Sequence, residues 1–192
     1  MTERTIVLIK PDAVKRALVG EVIHRFERSG LKIIALKMLK ATEEQVAKLY
    51  SLEENFLVGM GNKTLKTCEK YNLDPIRELG TDNPLEIGKM IRGWNIKYLS
   101  SGPIIAILLE GYHAVDNVRS LVGDTIPTFA QAGTIRGDFS LDSPAIANAE
   151  KRAVANIVHA TGTKEETEKE GKIWFTEDEI YSYKRSDENL TG

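Results

Sequence analysis

A single cysteine, Cys68, stands among 192 residues, so no disulfide can form within the chain. That scarcity fits a reducing compartment. No apolar run approaches the roughly 20 residues that span a bilayer, and Met1 leads directly into the alternating "RTIVLIK" without an apolar leader core. A cytoplasmic enzyme or binding module without membrane contact is expected. An excess of charge is missing too. With 26 basic and 28 acidic residues the formal charge is −2, so nothing pulls the whole chain toward nucleic acid and any anion site must be built locally. Neither G-x-x-x-x-G-K-[ST] nor G-x-G-x-x-G occurs, which removes both common nucleotide loops, and there is no internal repeat or low-complexity run.

What is present is an ordinary globular composition, 42% hydrophobic and 28% charged, in a length that suits one domain with elaborations. "RTIVLIK" (4–10) reads as a buried strand stopped by Pro11. Val19, Val22, Ile23 and Phe26 recur at helical spacing up to Gly30, and "LKIIALKMLK" is a second strand. "GPIIAILLEG" is the most apolar strand, followed by a short helix around 113–122 and a turn-rich loop over 123–139, too long for an idle connection. "SPAIANAEKRAVANIVH" holds a helical turn and then a short strand. Capping boxes are predicted at Thr42 with Gln45, Asn83 with Glu86, Thr163 with Glu166, and Thr176 with Glu179, the last opening a C-terminal helix; the tail after Lys184 is expected to fray. This order predicts an α+β fold: a ferredoxin-like sandwich with a four-stranded antiparallel sheet covered by helices, plus insertions. A parallel doubly wound sheet is the competitor.

Four separated pieces could carry chemistry: "IKPD" with Lys10, "VRSLVGDTIP" with Arg119 and Thr125, "GTIRGDF" with Arg136, and "NIVHAT" with Asn156, His159 and Thr161. Two arginines, a lysine and hydroxyls from loops and strand ends are what a polyphosphate site without a glycine loop needs. Arginine offers a planar fork of donors, and lysine a compact charge. On residues alone, His159 is either a buried histidine closing a strand or a nucleophile supported by the helix that follows. Glu170 by itself is one charge among Glu165, Glu166, Glu168 and Lys169. His24 and His113 fit surface or capping roles, Trp94, Trp174 and Phe175 fit core positions, and Cys68 reads as inert.

Taken together, "IKPDAVKR", "VGE", "GTIRGDF" and N-x-x-H resemble the nucleoside diphosphate kinases over about 5–50, 101–139 and 156–175. The resemblance implies a ping-pong phosphotransferase in which His159 takes the γ-phosphate of a nucleoside triphosphate, typically ATP, and passes it to a nucleoside diphosphate. A neutral imidazole suits this, because its ordinary pKa of about 6.5 leaves it nucleophilic at neutral pH. By the same match Lys10, Arg119, Thr125 and Arg136 hold phosphates, Asn156 bonds the ribose and phosphate region, and Tyr50 is the tyrosine that accompanies the lysine and histidine. Thr161 supplies a supporting hydroxyl, and Glu170 bonds the ring nitrogen that does not attack. Mg²⁺ is expected on the nucleotide phosphates rather than in a carboxylate cage. Partners are nucleotides, not nucleic acid, and the family implies a homo-oligomer, hexamer or tetramer, with Pro127 in a loop that meets neighbours.

The chain departs from the family in length. Residues 1–192 read as one kinase domain with insertions around 58–91 and 140–152. Counting from Tyr50 puts the base-stacking position near Val58 or Phe56, counting back from Ser101 puts it at Ile91, and the two disagree. "ATGT" places Gly162 where the family has an acidic residue, which questions the rigidity of that loop. The rivals are a catalytically degraded relative, against which the intact Lys10, Arg119, Arg136 and His159 argue, and a ferredoxin-like RNA-binding module. The second would need aromatic central strands and a basic sheet face, and "TIVLIK" and "IIAILLEG" offer neither.

Overall fold

Pro11 ends the first strand, as expected, and at once opens a helix that the sequence reading omits. Proline's fixed φ and missing N–H suit the first helical position. The structure is a computed structural model and describes residues 2–186, so the expected fraying of the tail lies mostly outside the described residues. In chain order the elements are β1 (Thr2–Ile9), α1 (Pro11–Lys15), α2 (Val19–Arg28), β2 (Lys32–Lys40), α3 (Glu43–Ala47) and α4 (Glu54–Lys70). Then follow α5 (Pro75–Leu79), α6 (Pro84–Ser100), β3 (Pro103–Tyr112), α7 (Ala114–Val122), α8 (Ile135–Phe139), α9 (Pro144–Ala149), β4 (Val158–Ala160) and α10 (Lys164–Trp174). The turn-rich loop after α7 is thus more ordered than expected. It contains a 3₁₀ turn at Pro127–Phe129 and then α8, capped by Thr134.

The chain divides into two compact units, one of Met1–Lys40, Pro103–Ser140 and Asn156–Gly192, the other of Ala41–Gly102 and Leu141–Ala155. The first unit is built on a four-stranded antiparallel sheet in the order β2-β3-β1-β4, the ferredoxin-like α+β arrangement. The competing parallel sheet is excluded. Ile6, Val7, Leu8 and Ile9 are all fully buried, so the inner strand β1 is covered on both faces, which is why it reads as continuous hydrophobe. On one face Val7, Ile9, Ile107, Leu109 and Val158 pack with Val22 and Phe26 of α2, Val118 and Val122 of α7, and Ile135 of α8. α10 packs against β1 and brings in the buried Trp174.

Three of the predicted caps resolve differently in detail. Thr42 and Gln45 form a complete capping box. Asn83 accepts from the amides of Leu85 and Glu86, but the Glu86 carboxylate takes the Thr81 hydroxyl instead of closing the box. Thr163 accepts from the Glu166 amide, while the Glu166 carboxylate takes the Gly162 N–H. Thr176 and Glu179 form their box yet start only a 3₁₀ turn, Glu177–Glu179, and not a helix. The reason is competition: Tyr181 N–H bonds the Ile34 carbonyl on β2 at 2.8 Å and Glu179 pairs with Lys37, so the backbone leaves the helical path.

The second unit is helical. α4 and α6 pack through two glycines at backbone distance, and Cys68, Leu79 and Ile87 form a small core with Leu65, Met90 and Trp94 around it. A Cβ at Gly61 would lie 1.8 Å from the Pro84 carbonyl oxygen, and one at Gly88 2.0 Å from that of Leu57. Backbone cannot yield as a side-chain tip can. Gly61→Ala is therefore expected to lower unfolding stability by about 3 kcal/mol, at the severe end of overpacking, measured by urea denaturation. Gly59→Ala, where a Cβ meets nothing within 4 Å, is the matched control.

Candidate active site

β4 is only three residues long, and its pairing with β1 sets Leu8 opposite His159. The strand is entered through a strained turn. Val158 N–H donates to the Asn156 carbonyl at 2.7 Å, a three-residue γ-turn, and its central residue Ile157 has φ of +70°. For a β-branched residue that conformation costs about 1–3 kcal/mol and persists only where the surroundings enforce it. They do so here from three sides. Lys10 N–H donates to the Ile157 carbonyl at 2.8 Å, Ile157 N–H donates to Asp12 Oδ2 at 3.2 Å, and the Arg136 guanidinium reaches the carbonyls of Asn156 (3.2 Å) and Val158 (2.8 Å).

His159 projects from this strand with its side chain 23% exposed, and its Nε2 lies 2.8 Å from Oε2 of the buried Glu170 on α10. With Nε2 engaged as a donor to a carboxylate, Nδ1 carries the lone pair and is the nitrogen open to reaction. Glu170 is the member of the acidic band whose side chain is buried; Glu165, Glu166 and Glu168 are exposed.

Thr161 is fully buried. Its hydroxyl oxygen accepts the Ile6 amide at 3.1 Å and lies 2.9 Å from the hydroxyl of Thr5 and 2.8 Å from that of Thr167. Thr167 donates onward to the Thr163 carbonyl. Each hydroxyl has one proton, so the chain runs Thr5 to Thr161 to Thr167 to Thr163, and every donor is used. The network ties β1, the end of β4 and α10 together, and α10 carries Glu170. Thr5 and Thr167 escaped the sequence reading, since a threonine in a strand or helix gives no sign that its hydroxyl is buried.

Arg119, Thr125 and Arg136 share the wall of an open pocket of about 670 Å³, along with Asp116, Asp124 and Ala160. Lys10, Asn156 and His159 are not in that wall but are linked to it. Lys10 Nζ donates to Asn156 Oδ1 at 2.6 Å, Asn156 Nδ2 donates to the Thr125 carbonyl at 2.8 Å, and Ala160 follows His159 directly. Arg136 also donates to the Gly123 carbonyl at 2.9 Å, so it braces the loop as well as facing the pocket. Burial first, and then the neighbouring Arg136, pushes the Lys10 ammonium down to about 7 against the opposing pull of Asp12. Burial likewise lowers Arg136 to about 10, with Asp124 opposing and Arg119 adding to the fall. Arg119 is exposed, and Gly162 leaves it room: a Cβ there would stand 2.9 Å from Arg119 Nη1. The Gly162 amide is held by Glu166 Oε2 at 2.6 Å, which answers the question about that loop.

The family model for nucleoside diphosphate kinase matches residues 3–56 and 88–180. The chain belongs to the nucleoside diphosphate kinase family. Its relatives include the nucleoside diphosphate kinase of Pyrobaculum aerophilum, 48% identical over 178 residues that cover 93% of this chain and 97% of the relative. That of Borreliella burgdorferi is 33% identical over 190 residues, covering 98% and 96%. Among solved structures, an NDP kinase from Pyrobaculum aerophilum superposes with a TM-score of 0.90 at 46% identity, over 95% of this chain and all of that one. A transition-state mimic of the Borrelia burgdorferi enzyme with bound vanadate and ADP gives 0.78 at 33% identity, over 97% and 95%.

Residues 57–87 fall outside the nucleoside diphosphate kinase match. The second unit takes in all of 58–91 and all but the first residue of 140–152. Tyr50 belongs to that unit, where it is half-buried and its carbonyl accepts from Arg92 Nε at 3.1 Å. Phe56, Val58 and Ile91, the three positions considered for base stacking, lie there too. His24 and His113 are exposed and Trp174 is buried in the sheet unit, as expected.

The depressed Lys10 gives this kinase a pH signature. The unfolded lysine titrates near 10.5 and the folded one near 7, so between those values the unfolded chain binds more protons and stability rises with pH. The penalty of burying the charge is fully present below about 7. The stability deficit of the parent relative to Lys10→Met should therefore shrink from pH 7 toward pH 10 in denaturation curves. A constant difference across that window contradicts the depressed value.

Proposed function

We propose that this nucleoside diphosphate kinase transfers the γ-phosphate of a nucleoside triphosphate, typically ATP, to a nucleoside diphosphate through a phosphohistidine at His159. The observation that carries the reading is the bond of His159 Nε2 to the buried Glu170, beside a pocket walled by two arginines. Nδ1 attacks the γ-phosphorus in line with the bridging oxygen. The N–P bond forms as the P–O bond breaks, and the nucleoside diphosphate leaves with the bonding electron pair. Glu170, accepting the Nε2 proton, fixes the tautomer and offsets the positive charge that grows on the ring. The acceptor diphosphate then reverses these steps with its own terminal oxygen.

Lys10, Arg119, Thr125 and Arg136 would hold the phosphates. Three bonds of the Arg136 fork go to carbonyls, which leaves two of its five N–H donors for an oxyanion. Asn156 sets Lys10 in place and reaches the sugar and phosphate region, Thr161 supports α10, and Tyr50 keeps the role its position in the motif implies. Mg²⁺ fits as a passenger on the phosphate chain. Among the described residues no group of three His, Cys, Asp or Glu side chains is placed to hold an ion, while the pocket offers Asp116 and Asp124 beside its cations. The ion would neutralise phosphate oxygens and orient them. We read residues 1–192 as one catalytic domain with insertions around 58–91 and 140–152, working in the cytoplasm; no helix among the described residues is long and apolar enough to cross a membrane.

Incubation with γ-labelled ATP should leave acid-labile phosphate on the parent and none on His159→Ala. Glu170→Gln should slow labelling on the order of 10²-fold, with little change in the ATP concentration that half-saturates it. Phosphate exchange retained by His159→Ala refutes the mechanism. The family reading also implies a hexamer or tetramer, which the exposed Leu36, Met38, Tyr181 and Tyr183 of the sheet unit support as apolar surface to cover. Light scattering should return a multiple of the 21.4 kDa chain mass, and a monomer sinks that part.

A further inference from the structure

The strained turn before His159 is held by a residue that the reaction as described does not use. Asp12, in the first turn of α1, accepts the Ile157 amide through Oδ2. Its other oxygen, Oδ1, is buried and without a hydrogen-bond partner among the described residues. A buried carboxylate oxygen left unbonded is costly, and a structure keeps one where its charge acts on something. Among the charged groups that bear on Lys10, Arg136 on α8 works against its charge and Asp12 favours it.

We propose that Asp12 is a positioning residue for phosphoryl transfer: one carboxylate oxygen anchors the γ-turn that aims His159, and the other keeps negative charge beside the Lys10 ammonium. The two anchors meet at one residue. Ile157 N–H is tied to Asp12 and Ile157 C=O to the Lys10 amide, so the left-handed residue is clamped at both ends by the same short segment, Lys10-Pro11-Asp12. Release of the amide lets φ of Ile157 relax from +70° toward ordinary values, and His159, two residues on, moves relative to its phosphate. Loss of the charge leaves Lys10 buried beside Arg136 without the carboxylate that favours its protonated form.

This inference rests on the phosphohistidine reading, and one experiment separates the two. The second-order rate of His159 labelling by γ-labelled ATP is measured from pH 6 to 9 for the parent, Asp12→Asn and Asp12→Ala. Asn retains an acceptor for the Ile157 amide and removes the charge. Its rate at pH 6 should stay within about threefold of the parent, while the alkaline fall moves down by about one pH unit. Ala removes both, and should lose about 100-fold at every pH, the size of a misplaced reacting group. An Asp12→Asn profile that overlays the parent, or equal losses in both variants without any shift in pH, overturns the proposal. If Asp12→Ala does not fold, the Asp12→Asn profile alone decides. A parent that takes up no label defeats the phosphohistidine reading itself.

Discussion

One buried guanidinium holds the reacting end of this protein together. Arg136 spends three donors on the carbonyls of Gly123, Asn156 and Val158, which belong to the pocket loop and to the entrance of β4. Hydrogen bonds to a charged donor are worth about 1.5–3 kcal/mol each. The same side chain faces the pocket. Its position therefore couples two things usually separate, the shape of the pocket loop and the course of the strand that carries His159.

Around that brace, the ring of His159 is oriented by a chain of contacts that begins far from any substrate. Glu170 meets Nε2 only if α10 sits at one height on the sheet. That height is set by Thr167 bonding Thr161, by Thr161 bonding Thr5 and Ile6, and by Trp174 buried at the other end of the helix. A hydroxyl chain with one donor per member has a single satisfied arrangement, so it specifies position more sharply than apolar packing does. The turn at Ile157 adds the complementary constraint from the strand side, with its strain offset by bonds to Lys10, Asp12 and Arg136.

The sheet was legible in the chain because each strand announces itself: "TIVLIK" is buried on both faces, and β3 is its apolar partner. The residues proposed to hold phosphate stood out for a different reason, that arginine, lysine and histidine in short fixed motifs have few other uses in that combination. What stayed hidden depends on contacts across the fold. Nothing in "NIVH" marks its isoleucine as left-handed, since β-branched residues avoid that region. By composition alone Glu170 and Glu168 look alike; the family motif singles out Glu170, and only the structure shows it buried. The failed C-terminal helix teaches the same lesson: Thr176 and Glu179 make the expected box, and a β2 carbonyl still claims the amide of Tyr181. Local signals are answered by local geometry, and a competitor distant in sequence can outbid them.

The electrostatics follow from the same constraint. Burying Lys10 beside Arg136 is unfavourable, as the fall of both groups from their ordinary values records. A protein optimised for stability alone would put apolar side chains there. The cost makes sense if an anion comes and goes beside them. Cations already desolvated and already bonded in place need not reorganise when phosphate arrives, and in a low-dielectric wall each acts more strongly than it would in water. The penalty carried by the free protein is then the counterpart of affinity for the charge that transfer spreads over the phosphoryl oxygens, which is why a strained turn and a depressed lysine lie within one hydrogen-bonded cluster.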